Sequence, residues 1–493
     1  MVRYTNEGSK KSMALAMTML AMAGYTAAPA GAGAPPPVTS PAPPARPAQP
    51  APPVPPAPLA PPCAGAPIPD ATGAWMNASL GAPANQSAPF FERLGSNGRS
   101  CASCHVENDA WTSTPVNLQR RFQNTAGADP IFASVDGTNC SSLDISTPSA
   151  HEAASSLLLS KGLIRVALTV PSSAAFSVTD VVNPYGCDST SVVSVYRRIP
   201  TTANLTFLST VMWDGRESLT NASIPADLVH QAGTAVSTHE AAATLPAVSV
   251  LQAIETFEAA QFAAQTIDAS AGALNAAGAT GGPLMLSTQA VAPGANDPFT
   301  PGTATPGVTP KAVFTLYTAW TGLQGTDSVS KARASIARGE QLFNTRPMSI
   351  TGVAGLNDSV GANGLPRTVI NGTCGTCHDT PNAGSHSLQL LVDIGTADAT
   401  RRTPDMPLIT LINRTTGATR QTTDPGLALT TGHWADVNKF KIPTLRLLAA
   451  QAPYFHDGSA PTLDAVVNFY DQRFSLKLSA QEHADLVAFL GAL

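Results

Sequence analysis

The sequence predicts a mainly α fold of two modules, with long loops and a few short strands. Three observations lead there. The pattern C-x-x-C-H occurs twice, as Cys101-Ala102-Ser103-Cys104-His105 and as Cys374-Gly375-Thr376-Cys377-His378. Stretches with apolar residues at helical spacing accompany each copy. A run rich in Gly, Pro, Thr and Ala, residues 277–310, lies between the two halves and reads as a long surface loop or a connection.

Residues 1–34 carry a basic start (Arg3, Lys10, Lys11), a short apolar run from Met13 to Gly24, and Ala-x-Ala sites at Ala28–Ala30 and Ala32–Ala34. That is the pattern of a cleaved secretory signal, with an uncleaved anchor as the alternative. The apolar run is short for a bilayer span. Pro35 to Pro62 is dominated by proline and alanine and favours extended polyproline II, so residues 35–68 read as a linker. The folded body is expected from about Pro69, as an N-terminal domain over 69–325 and a C-terminal domain over 326–493.

Phe90 to Leu94 is a short helical patch before the first motif, and Trp111 is expected to wall the group bound there. Ser155 to Val170 holds apolar clusters and then a β-prone run. Asn183-Pro184-Tyr185-Gly186 is a turn signal, and Ser191 to Tyr196 reads as a short strand or hairpin. Leu245 to Ile267 reads as a helix, with Val250, Ile254 and Phe257 on one face. Ser328 to Phe343 is a second helix, in which Gly339 lets another helix cross closely. Ser479 to Leu490 is a third, started by a Ser479/Glu482 capping box.

C-x-x-C-H is the attachment sequence of a c-type haem. Both thiols can form thioethers with porphyrin vinyl groups, and the histidine supplies an axial nitrogen. The alternative is a zinc site or a redox dithiol, but neither copy has further ligands at matching spacing. Two covalently bound haem c groups are therefore expected. The remaining cysteines are Cys63, Cys140 and Cys187. An exported chain can oxidise them. Cys140 with Cys187 is the preferred pair, and all three pairings stay open. Charged residues are 12% of the chain and the net charge is -5, which excludes a nucleic-acid surface and leaves a basic electron donor as a plausible partner.

The two motifs, Met212-Trp213-Asp214-Gly215-Arg216, Phe440-Lys441-Ile442-Pro443-Thr444-Leu445-Arg446 and Ala452-Pro453-Tyr454-Phe455-His456-Asp457-Gly458-Ser459 occur in this order. In these the chain resembles the bacterial di-haem cytochrome c peroxidases, and more closely their larger relatives, the di-haem oxidoreductases. The resemblance covers roughly residues 85–493 and thins between about 265 and 325. It implies two cytochrome c-like haem domains, the N-terminal haem meeting peroxide and the C-terminal haem relaying electrons from a donor.

Residue by residue, the resemblance implies that Trp213 lies between the haems as a relay, and that Gln231 is the active-site glutamine. His239 or Glu240 falls where the peroxidases have an acidic group that moves a proton between the peroxide oxygens. His105 and His378 are the expected axial ligands. The peroxidases also have a histidine that caps the resting N-terminal haem. The matching stretch here, Thr112 to Phe132, has none, and His151 is a weak substitute read as a surface residue. At the C-terminal haem the peroxidase methionine aligns near Phe469. Its neighbour Tyr470 is the first candidate for sixth ligand, as in the related enzyme that matures methylamine dehydrogenase, with Met406 and His433 as alternatives. The family's calcium ion has Asn204 and Thr444 as counterparts, and His456 stays near the propionates.

The expected activity is periplasmic reduction of hydrogen peroxide to water with electrons from a small cytochrome c or cupredoxin, in a protein with no stable membrane span and with a homodimer as one expected state. Two readings compete with it. One is an oxidase or oxygenase acting on a protein or organic polymer, as in the related rubber oxygenases. The other is a di-haem electron carrier without catalysis.

Overall fold

Two helices cross at Gly339. The first, Ser328–Thr345, starts on Asp327, whose carboxylate accepts a hydrogen bond from the Ser330 N–H. The second, Ala480–Gly491, starts on the expected Ser479/Glu482 capping box. A Cβ at position 339 would run into the Asp485 carbonyl and Phe489, so only glycine permits this approach. Around the crossing, Phe343 and Phe314 meet Phe489, and Arg338 holds Asp485 at 2.7 Å.

The computed structural model describes residues 63–81, 86–289, 294–296, 298, 310–358 and 367–493. The leader and the proline-rich tract up to residue 62 lie outside the described residues, as does most of the run 290–309. The described residues fall within one compact unit, Pro58–Leu493. No helix among them is long and apolar enough to cross a membrane.

The mainly α expectation does not hold. Ten α-helices and fourteen strands, many of them short, make a mixed fold among the described residues. Strand Gly73–Ser79 pairs antiparallel with Gln261–Asp268, flanked by Cys63–Ala64, Ile68–Pro69 and Gly272–Ala273. Leu163–Thr169 pairs with Val192–Arg198, the strand expected from its β-branched residues. Phe176–Val182 pairs with Leu408–Asn413, which continues to Thr419–Thr422, so one sheet draws strands from both halves of the chain. Leu391–Val392 pairs with Phe440–Lys441.

The helix expected over 245–267 is the clearest local correction. It runs only Val248–Ala259, and Gln261–Asp268 is a strand. The segment Phe262-Ala263-Ala264 carries helix-compatible alanines, but all three are buried against the partner strand. Tertiary pairing overrides local propensity there. The patch at Phe90 is a single tight turn, Pro89–Phe91. A strand, Cys63–Ala64, also precedes Pro69. Cys140 and Cys187 are joined by a disulfide, the preferred pairing, and Cys63 is free.

Candidate haem sites

Both motifs fold the same way. Cys101–Ser103 and Cys374–Thr376 are short helical turns, each closed by a backbone N–H donating to a hydroxyl three residues on, Ser100 to Ser103 and Thr373 to Thr376. The turn sets both sulfurs and the following imidazole on one side. His105 Nδ1 lies 3.2 Å from the Trp111 carbonyl, and His378 Nδ1 lies 2.6 Å from the Gly384 carbonyl. A histidine held through Nδ1 offers Nε2 to a metal. Burial pulls both imidazoles down to about 4, so they are neutral, as a ligand must be.

A second carbonyl faces each ring, Pro200 for His105 and Pro443 for His378. These prolines sit in Ile199-Pro200-Thr201 and Ile442-Pro443-Thr444, a repeat of one tripeptide. The second copy stood out in the sequence. The first was passed over, though matching it to the second would have found it.

Each motif opens on a cavity. The one at Cys374, Cys377 and His378 measures about 240 Å³ and has mostly apolar walls, including Phe343, Met348, Leu486 and Leu490. The one at Cys101, Cys104 and His105 measures about 110 Å³. A flat apolar ring joined to two sulfurs and one neutral imidazole fits both. Burial pushes Cys104 up to about 11 and both Cys374 and Cys377 up to about 12, and raises Cys101 well above the usual thiol value. Among the described residues, no group of three or more His, Cys, Asp and Glu side chains is arranged to hold a metal ion.

The cavities share a wall, made of Ile199, Pro200, Thr201, Leu205, Leu208 and Lys441. Met212 lines the N-terminal cavity and Trp213 the C-terminal one. The Trp213 Nε1–H donates to the Arg198 carbonyl at 2.9 Å, and its own carbonyl accepts from the Lys441 N–H at 2.9 Å. Trp213 is thus pinned at the partition. Lys441 is buried, and burial draws its ammonium down to about 8 against the pull of Asp214.

The N-terminal cavity gathers Gln231, His239 and Glu240, the three polar residues named from sequence. Helix Ile224–Thr238 carries Gln231 and ends at His239. His239 Nδ1 lies 2.5 Å from Asp136 Oδ2, and Arg99 lies 2.6 Å from Asp136 Oδ1. Burial alone would raise the Asp136 carboxyl, but His239 and Arg99 outweigh it and hold it below the ordinary range. Glu240 is turned away from that pair: it accepts from the Leu94 N–H at 3.0 Å, and its Oε1 lies 3.7 Å from Cys101 Sγ. Burial raises its carboxyl. Sequence reading missed Asp136, Arg99 and Glu258, which lies in the helix preceding the misassigned strand and lines the same cavity.

Tyr470 lines the C-terminal cavity, and burial, then Cys377 and Cys374, raise its phenol. Met406 instead packs with Leu157, Leu163 and Tyr196, and His433 is exposed beside Asp436. Met348, not considered from sequence, does line that cavity. His151 is buried, not a surface residue, with Nε2 at 2.9 Å from the Phe132 carbonyl. Trp111 packs on Phe90 and Phe257 and holds His105 through its carbonyl rather than walling the cavity. His456 lines the C-terminal cavity, stacked on Phe440 at 3.9 Å. Asn204 exchanges two hydrogen bonds with Ala263, and Thr444 donates to the Ala383 carbonyl, so both calcium counterparts already have protein partners.

Two C-x-x-C-H pockets with a common partition fit a two-centre redox protein. Comparison with known proteins is more particular. No family model matches the sequence. Cytochrome-c peroxidase IdrP1 of Pseudomonas sp. is 34% identical over 140 residues, 24% of this chain and 36% of the relative. Cytochrome-c peroxidase IdrP2 of Denitromonas iodatirespirans is 50% identical over 66 residues, 12% of this chain and 18% of the relative. Cytochrome c551 peroxidase of Nitrosomonas europaea is 42% identical over 64 residues, 13% of this chain and 19% of the relative. The match thus spans about a third of the length of the first relative and less of the other two. A solved MauG-like protein associated with microbial copper homeostasis aligns over 82% of this chain and 85% of that one, at 17% identity and a TM-score of 0.34. Over the matched stretches the chain is similar to bacterial cytochrome c peroxidases.

Proposed function

We propose that the protein is an oxidoreductase of the di-haem cytochrome c peroxidase type, reducing hydrogen peroxide to water with electrons from a small cytochrome c or cupredoxin in the periplasm. The observation that carries this is the pairing of cavities: one lined by Gln231, His239 and Glu240, the other mostly apolar, with a common wall. Two covalent haem c groups on Cys101, Cys104 and His105 and on Cys374, Cys377 and His378 would supply the peroxide-binding iron and the relay. Tyr470 is proposed as sixth ligand of the second.

The chain's own residues have distinct tasks in this reading. His239, fixed through Nδ1 by Asp136, keeps Nε2 for taking a proton from one peroxide oxygen and returning it to the other. The Gln231 amide can donate a hydrogen bond to the bound oxygens and orient them. Glu240 ties the turn at Leu94 to the Cys101 edge. Trp213 and Lys441 hold the partition across which electrons pass.

The test is steady-state oxidation of a reduced small cytochrome c by holo-protein and peroxide, with the enzyme fully oxidised and then half-reduced. Turnover in either state supports the reading, and its absence in both removes it. The presence of Tyr470 in the C-terminal cavity favours one second reading, an oxidase or oxygenase acting on a protein or polymer, because phenolate stabilises Fe(III). Product analysis with such substrates separates the two.

A further inference from the structure

Glu258 has no role in the scheme above, yet it is a buried carboxyl group inside the same cavity. It sits on helix Val248–Ala259, is 4% exposed, and lines the N-terminal cavity. Its Oε2 is buried and has no hydrogen-bond partner. Burial strongly disfavours a carboxylate that has no cation or donor beside it. The group therefore stays neutral and keeps its proton.

The surroundings supply no cation to reverse this. Glu255, on the same helix, is a like charge. Cys101, in the motif turn, lies near both Glu258 and Glu240, and its thiol is raised by burial first and then by the two glutamates. The basic groups of the cavity are committed elsewhere. Arg99 is bound to Asp136 and to the Pro130 and Ile131 carbonyls, His239 is bound to Asp136, and the charge that Lys441 feels is that of Asp214. Burial first, then Glu255, push the Glu258 carboxyl up to about 8.

We infer that Glu258 is a second acid of this site, a carboxyl group that holds a proton inside the N-terminal cavity and releases it there when peroxide is reduced. The purpose assigned to the proton rests on the peroxidase reading. Converting one H2O2 to two H2O takes two electrons and two protons. His239 only moves a proton already present on peroxide, so the two that are consumed must enter from outside it. The first water leaves with the peroxide's own two protons, so Glu258 delivers one of the consumed pair by passing from carboxylic acid to carboxylate as the remaining oxygen is reduced to the second water. It then regains a proton from solvent, while the electrons come from the donor protein.

The experiment is infrared difference spectroscopy of holo-protein, below and above pH 8, on wild type and Glu258→Gln, beside the pH profile of peroxide turnover. Wild type should show the carbonyl stretch of a neutral carboxylic acid, moved by D2O and lost above about pH 8. E258Q should lack that band, lose about 10²-fold in turnover and show no fall above pH 8. Absence of the band from wild type, or its persistence in a folded E258Q with full haem content, overturns the inference. Where E258Q fails to fold, Glu258→Asp takes its place, and a band whose frequency and titration match wild type in that variant overturns the inference. A titrating band in wild type without any peroxide turnover would leave the protonated site standing and remove the peroxidase reading. Turnover without the band would do the reverse.

Discussion

His239 Nδ1 stands 2.5 Å from Asp136 Oδ2, and Arg99 closes on the other oxygen at 2.6 Å. The pair joins the C-terminal end of a helix to a loop more than a hundred positions earlier in the chain. It fixes which imidazole nitrogen is left for the cavity. Asp136→Asn keeps the shape but weakens that orientation. Peroxide turnover should fall about 10–100-fold with haem content unchanged, the usual cost of losing a carboxylate behind a functional histidine. Turnover and haem stoichiometry, measured together, check it, and wild-type turnover would remove His239 as the shuttle.

Trp213 is held by a hydrogen bond from its indole to the Arg198 carbonyl. Trp213→Phe removes the indole and that bond, at a stability cost of about 1 kcal/mol. Electron transfer between the centres, followed by stopped flow after half-reduction, should slow while each haem keeps its own spectrum. An unchanged rate would sink the relay role.

Tyr470→Phe should change the ferric spectrum of one haem and leave the other alone. The potential of the changed centre should rise, because a phenolate favours the ferric state. Electron paramagnetic resonance with a redox titration reads both effects. Identical spectra in variant and wild type would redirect the search to Met348, which lines the same cavity.

Arg197 is buried and gripped by Asp424 at 2.7 and 2.9 Å and by Asp214 at 2.5 Å, tying the two halves together. Asp424→Asn leaves a buried guanidinium short of charge and should cost about 3–5 kcal/mol, seen as a lower denaturation midpoint. The same cluster predicts acid sensitivity. Burial would raise Asp214, but Arg197 and Arg216 overcome it and hold the carboxyl at about 2, below its ordinary 3.8. Because the folded value is the lower one, this stabilisation is present above 3.8 and is lost as pH falls towards about 2. A midpoint that stays flat across that interval would contradict it.

What the sequence made legible follows from range. The haem motifs, the Ser479 cap and the close approach at Gly339 are decided within a turn or two of chain, and all three could be read locally. Gln231, His239 and Glu240 came through resemblance, and they do line one cavity. Asp136 and Glu258 could not be found that way. One is a loop aspartate and the other a glutamate on an ordinary amphipathic helix, and only the folded chain brings them to the pocket. The sheets failed for the same reason. Leu408–Asn413 pairs with Phe176–Val182, which lies far away in sequence. Gln261–Asp268 gains its strand form only from Gly73–Ser79.

The partition between the two cavities has a bearing on biogenesis. Its residues come from two separate places, 199–208 and position 441, so neither pocket is complete until the end of the chain has joined the beginning. On the di-haem reading, cofactor attachment at Cys101 and Cys104 would meet an open polypeptide, and the finished wall would form by later folding around groups already in place. Cutting the molecule into halves would leave each attachment site with one side exposed to water.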